Sequence, residues 1–188
     1  MVEHDDGNNK ILDEETADTR RHRVDSYTLA YLTCPQDSAK NYLGALLITN
    51  SRSHPLHFAY VSPVRPTILQ RILYGGTLDE HVKTDVIVKK LFGDGLDIKP
   101  NVVFVDSGDL LSARRIINLP VAQLSKKSNS QNDTSSLSAF RFETDGNGND
   151  ERFVGKIIAR LEQVIDLYDP FDRMTEALKE TLKSKQAE

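Results

Sequence analysis

Asp106-Ser107-Gly108-Asp109 is the stretch of the chain whose residue types are best suited to chemistry. Two carboxylates three positions apart, separated by a hydroxyl and a glycine, can hold a divalent cation or a polar ligand. Asp and Ser at such a position are more commonly the cap of a strand-to-helix turn, and that is the use expected first. Asp145, Asn147, Asn149 and Glu151 have the spacing of the first half of a calcium loop. The pattern breaks at Asp150, where glycine is needed, and at Lys156, where a bidentate glutamate is needed, so a solvated turn is expected. His54 and His57 flank Pro55 without a third ligand in sequence, as surface histidines of a turn do. Cys34 has no neighbouring base and is expected as a core thiol. Arg65, Arg114, Arg115, Lys126 and Lys127 stand near predicted loop ends. Together with Arg71, Tyr60 and Tyr74 they form either a nucleic-acid-binding face or ordinary solvated helix surfaces.

The elements that must position these residues follow from periodicity. Val102 to Val105 is a short β-branched run, the pattern of a strand buried on both faces. A helix is expected over Leu110, Leu111, Arg114, Arg115 and Ile117, and a strand from Leu119 to Leu124 with Pro120 at its first position or on an edge. So compact a strand-helix-strand unit is parallel and right-handed, which puts Asp106 and Asp109 at the carboxyl end of a parallel strand, where ligands bind in α/β sheets. Upstream, 26–34, 43–49 and 56–62 form three strands of an antiparallel meander, joined by the Pro35-Ser38 and Asn50-Pro55 turns. Pro66 opens a short helix carrying Ile68, Leu69, Ile72 and Leu73, ended by Gly75-Gly76, and Leu78 to Leu91 form a second. Residues 139–143 alternate as one short strand. Glu151 to Tyr168 carry the widest apolar stripe, broken at Asp169-Pro170, and Phe171, Met174, Leu178 and Leu182 mark a last helix. The fold class expected is α/β: a mixed sheet with an N-terminal three-strand meander followed by a parallel βαβ unit, helices on both faces. One domain, 23–182, is expected between an acidic disordered tail at 1–22 and a polar tail at 183–188, with a Ser/Asn-rich flexible insert at 125–138.

Composition narrows the function classes. A net charge of −4 provides no global basic excess for a phosphate backbone, so nucleic-acid binding needs a local patch. The single cysteine excludes an intramolecular disulfide and Cys-rich zinc sites. The acidic start has no signal-peptide pattern, and no apolar run approaches the length of a membrane span; a cytoplasmic protein is expected.

The element order is similar to the ribonuclease H-like fold, and within it residues 99–127 resemble the endonuclease V family. The matching residues are Lys99-Pro100-Asn101, the strand Val102 to Asp106, Arg114-Arg115, and Leu119-Pro120-Val121 with Lys126-Lys127. The resemblance implies metal-assisted phosphodiester hydrolysis by carboxylates holding magnesium or manganese. It makes Asp106 a metal ligand and, with Asp109, Asp150 and Glu151, the catalytic set. The chain departs from the pattern in its first strand, Ser26 to Thr33, which has no carboxylate; Asp25 lies outside its start. Asp79, Glu80 and Asp85 are the acidic residues available in the first long helix. The reading favoured on these residues is an inactive or repurposed member: an accessory subunit with no cofactor that binds a protein partner, the 171–182 helix being its docking element. The alternative is the nuclease itself. A third reading is a small-ligand sensor.

Overall fold

The computed structural model describes residues 27–93, 96–127 and 139–186. The expected tail at 1–22, most of the insert and the last two residues lie outside them. Six strands form one mixed sheet in the order β3-β2-β1-β4-β5-β6. β1 (Thr28–Thr33) is the pivot. It pairs antiparallel with β2 (Tyr42–Asn50), which pairs antiparallel with β3 (Pro55–Val64). On its other side β1 pairs parallel with β4 (Val102–Val105), and β4 with β5 (Val121–Lys126). The order 3-2-1-4-5, with β2 alone reversed among those five strands, is the ribonuclease H-like arrangement. β6 (Phe140–Thr144) extends it, antiparallel to β5.

Side chains alternate across the strands, so the sheet divides its apolar residues between two cores. Leu29, Tyr31, Leu47, Val102, Phe104 and Leu124 face helices α4 (Gly148–Leu161) and α5 (Asp169–Gln186). Ala30, Leu32, Leu46, Ile48, Val103 and Val105 face the other layer. That layer is α2, residues 78–91, a helix whose middle, His81–Val88, is π-helical. Before it stand α1 (Ile68–Tyr74) and the 3-10 turn Gly75–Thr77. Between β4 and β5 the chain makes a 3-10 turn, Gly108–Ala113, and the single α-turn α3 (Arg114–Ile117).

Four expectations change. Asp106 and Ser107 cap no helix: the turn after them is 3-10, and Ser107 makes no capping bond. The long helix ends at Leu161 rather than Tyr168. Asp169-Pro170 opens α5 instead of breaking α4, because a helix's first turn does not use the N–H that proline lacks. Ser125 and Lys126 belong to β5, held there by pairing with Arg141 and Phe140, so the insert starts later than 125. Residues 183–186 continue α5 rather than forming a tail. No helix among the described residues is long and apolar enough to cross a membrane.

Candidate functional site

The parallel register sets Leu32 beside Val105, so the next residues, Thr33 and Asp106, meet at the carboxyl ends of β1 and β4. The Thr33 hydroxyl donates to Asp106 Oδ2 at 2.5 Å. A threonine therefore stands where a second carboxylate was sought. Asp109, on the 3-10 turn, accepts from the Ser107 hydroxyl at 2.5 Å and from the Lys83 ammonium. Lys83 comes from the π-helical stretch of α2, and its side chain is only 13% exposed. The next residue fixes that approach: the Thr84 and Ser112 hydroxyls lie 3.1 Å apart, tying α2 to the 3-10 turn. A Cβ on Gly108 would stand 2.9 Å from Gln123 Oε1, the far end of a flexible side chain on β5 that would have to shift. Tyr168 and Lys126 complete the rim. The Lys126 ammonium lies 4.8 Å from the Tyr168 ring centroid and 3.8 Å from both Asp166 and Asp172.

Burial and partners set the two carboxylates apart. Desolvation pushes the Asp106 carboxyl above its ordinary value, and the Thr33 hydroxyl opposes this in part. Desolvation also acts on Asp109, but the Lys83 and Ser107 bonds outweigh it and hold the carboxyl low. Cys34, buried next to this pair, is pushed up to about 12 by burial, with Asp106 adding to the effect. Its thiol is a core residue rather than a nucleophile.

The remaining sequence candidates go elsewhere. Asp150, buried in the first turn of α4, accepts from Arg114 Nε at 2.6 Å, so this ion pair anchors α4 to α3. Glu151 is exposed beside it. Asp79 accepts the Tyr42 hydroxyl, Glu80 binds Arg115, and Asp85 binds Lys89 and His81. Asn147 caps α4, which is the use made of the calcium-like spacing. Of the five basic candidates, Arg114, Arg115 and Lys126 face carboxylates and Arg65 is exposed; the backbone N–H of Lys127 bonds Ala139. Two divalent ions need several carboxylates free to bridge them. Here Asp106 accepts from a hydroxyl, Asp109 from an ammonium and Asp150 from a guanidinium, so none of the three stands without a partner. Among the described residues no three His, Cys, Asp or Glu side chains gather as a metal site. Thr33 and Lys83 were missed from sequence. Neither was findable: the strand register that sets Thr33 against Asp106 is not written in the sequence, and nothing in HVKTDVIV announces the π-helical winding that brings Lys83.

No family model matches the sequence, and no curated protein matches it. Among solved structures, the catalytic domain of human endonuclease V is similar at 11% identity and a TM-score of 0.41, over 66% of this chain and 60% of that one. A Ciona intestinalis endonuclease V, bound to DNA with an inosine followed by a ribo-adenosine, is similar at 8% identity and a TM-score of 0.35, over 64% and 59%. Marinitoga piezophila Argonaute with a guide RNA gives 11% and 0.34, over 63% of this chain and 19% of that one. The chain thus spans about three fifths of the endonuclease V chains. These relatives are nucleases or nucleic-acid complexes by name, and at such identities no residue role passes from them. The chain carries an α/β fold of ribonuclease H-like strand order, weakly similar to endonuclease V.

Proposed function

We propose that the protein is a non-catalytic binding subunit on a ribonuclease H-like scaffold, which docks a protein partner through α1. One observation carries this reading. α1 buries none of its residues; Ile68, Leu69, Ile72 and Leu73 are 78, 63, 72 and 72% exposed. At 3.6 residues per turn these four span an arc of about 140°, the width of stripe that normally faces a core. The helix is nonetheless well built, with Thr67 and Gln70 forming a capping box. A formed helix with a core-type stripe and no core beneath it is a ligand for a groove. Burying each side chain fully is worth about 1.5–3 kcal/mol, so the four, already partly covered, supply roughly 4–8 kcal/mol. Association costs about 4–15 kcal/mol, so the groove must also engage the flanks. Arg65 and Arg71, both exposed, are the flanking charges, and carboxylates on the groove rim complement them.

The expected docking element, the 171–182 helix, keeps its apolar side for its own sheet: Phe171, Met174 and Leu178 are buried. The test is to identify the protein that co-purifies with the tagged full chain, then reconstitute the complex from purified components. Ile72→Glu is expected to abolish it and Lys179→Glu, on the polar side of α5, to leave it intact. The reverse pattern moves the interface to α5, and no reconstituted complex ends the reading.

A second reading, the metal-dependent nuclease, is favoured by the adjacency of Asp106 and Asp109 at the mouth of the parallel strands. The same preparation decides it, incubated with DNA and RNA plus magnesium or manganese. The expected result is no cleavage; cleavage lost in Asp106→Ala replaces the binding reading with the nuclease.

A further inference from the structure

A recess opens at the amino ends of β4 and β5, the end of those strands opposite to Asp106. Phe92 walls it from the end of α2, Leu96 and Ile98 from the segment before β4, and Ile116, Ile117 and Leu119 from α3 and the turn into β5. Its volume is about 360 Å³. Small-molecule sites run to roughly 300–1,000 Å³ and are mostly apolar, with a few polar groups that fix orientation. All six apolar side chains pack on the core at the α2 side of the sheet, and all six are half-buried. Close-packed interiors leave few voids larger than a water molecule, so this layer stops short of closing here. Gly93 shapes the floor, where a Cβ would stand 2.9 Å from the Lys89 carbonyl oxygen.

The charges of the lining have one sign. They are Lys89 and Lys99, and no carboxylate of a described residue joins them. Asp97 is exposed two residues from Lys99 and does not line the recess. Lys89 shares its charge with Asp85 at 2.8 Å, and Asp85 also lies outside. Lys99 is exposed and forms no ion pair with a described residue. Lys89 and Lys90 stand in the last turn of α2, where they offset the negative end of the helix.

We infer that this recess binds a small amphipathic carboxylate, its head at Lys99 and an apolar body of about ten carbons against the six half-buried side chains. The ligand class follows from the lining. A nucleotide or a sugar has to desolvate its polar body against apolar walls, with few partners for its hydroxyls and ring nitrogens. A cationic amphiphile sets its head against two ammonium groups. A single negative charge matches Lys99, because Lys89 is already shared with Asp85. The ligand covers apolar surface that the fold leaves wet, which is the source of affinity, and the lysine fixes which end faces out. This inference uses neither α1 nor the site at Asp106, and it stands or falls separately from the binding reading.

Calorimetric titration of the full chain at pH 7 with decanoate and with decylammonium tests it. The two probes share one chain and differ in the sign of the head. The expected result is saturable binding of one decanoate per chain, with decylammonium weaker by at least about tenfold. Lys99→Glu, at an exposed residue, is expected to reverse that preference. Ile98→Trp fills the recess and is expected to abolish binding of both probes; where circular dichroism shows this variant unfolded, Lys99→Glu decides alone. Ile72→Glu is expected to leave decanoate binding unchanged, because the exposed stripe of α1 is a separate apolar surface. The inference is overturned by no saturable binding below about 1 mM, or by equal affinity for the two probes. Several decanoates per chain overturn it as well, as does binding that is lost in Ile72→Glu but kept in Lys99→Glu.

Discussion

Asp106 is the residue on which the site's electrostatics turn. Its folded-state carboxyl is raised by burial, so between the ordinary value of 3.8 and its raised value the folded chain holds a proton that the unfolded chain has lost. Stability therefore falls as pH rises through that window, and the ionised carboxylate remains a constant penalty above it. Asp109 has the opposite sign: lowered by Lys83 and Ser107, it contributes stability above 3.8 that is lost as pH falls. Asp106→Asn keeps an acceptor for the Thr33 hydroxyl and removes the charge. It is expected to stabilise the protein at pH 7 and to have a smaller effect at pH 3, measured as the difference in urea midpoints; a loss of stability at pH 7 contradicts this account. From the sequence, the turn Asp106-Ser107-Gly108-Asp109 was legible as a candidate site because two acids and a glycine follow a β-branched strand. What holds the acids was not. Thr33 is 73 residues from Asp106 and Lys83 is 26 from Asp109, so their roles depend on strand register and on the winding of α2.

At the scale of elements, the strands were legible where alternation or a continuous apolar run left one choice. Leu29 and Tyr31 go to one core and Ala30 and Leu32 to the other, as their spacing requires. The helices were less so, because winding is decided by what they pack on. α2 lies so close to β2 that a Cβ on Gly44 would stand 2.2 Å from Ile87 Cγ2 and 3.5 Å from Leu91 Cδ1. Gly44 thus sets how near the π-helical stretch comes to the sheet, and with it where Lys83 reaches Asp109. π-Helical turns are uncommon and concentrate at functional sites, which agrees with this one carrying both contacts to the 3-10 turn. Gly44→Ala is expected to destabilise the fold by about 1–3 kcal/mol through overpacking. Ile87→Ala removes the clashing methyl, so the double variant should lose less stability than the two single losses added together. Strict additivity in chemical denaturation would place the strain somewhere other than this contact.

The whole molecule explains why two similar stripes have different fates. Ile68, Leu69, Ile72 and Leu73 on α1, and Phe171, Met174 and Leu178 on α5, both read as amphipathic helices, and local sequence does not say which one covers the sheet. Topology decides. α5 runs across β1 and β2, where Phe171 meets the Tyr31 ring edge-on at 5.3 Å and packs against Tyr168 at 5.1 Å. α1 leaves the end of the edge strand β3, with the opposite layer already filled by Val82, Ile87, Val88 and Leu91 of α2. Among the described residues both cores are therefore complete without α1. Phe171→Ala opens a cavity beneath α5 and should cost about 3–5 kcal/mol. Ile72→Ala, an aliphatic truncation at a residue 72% exposed, should change stability by no more than about 0.5 kcal/mol. Urea unfolding of the two variants checks both numbers. A large loss for Ile72→Ala would mean that α1 belongs to the fold, and its stripe would then be unavailable to a partner. A small loss for Phe171→Ala would mean that α5 detaches from the sheet, restoring the terminal helix as the docking element.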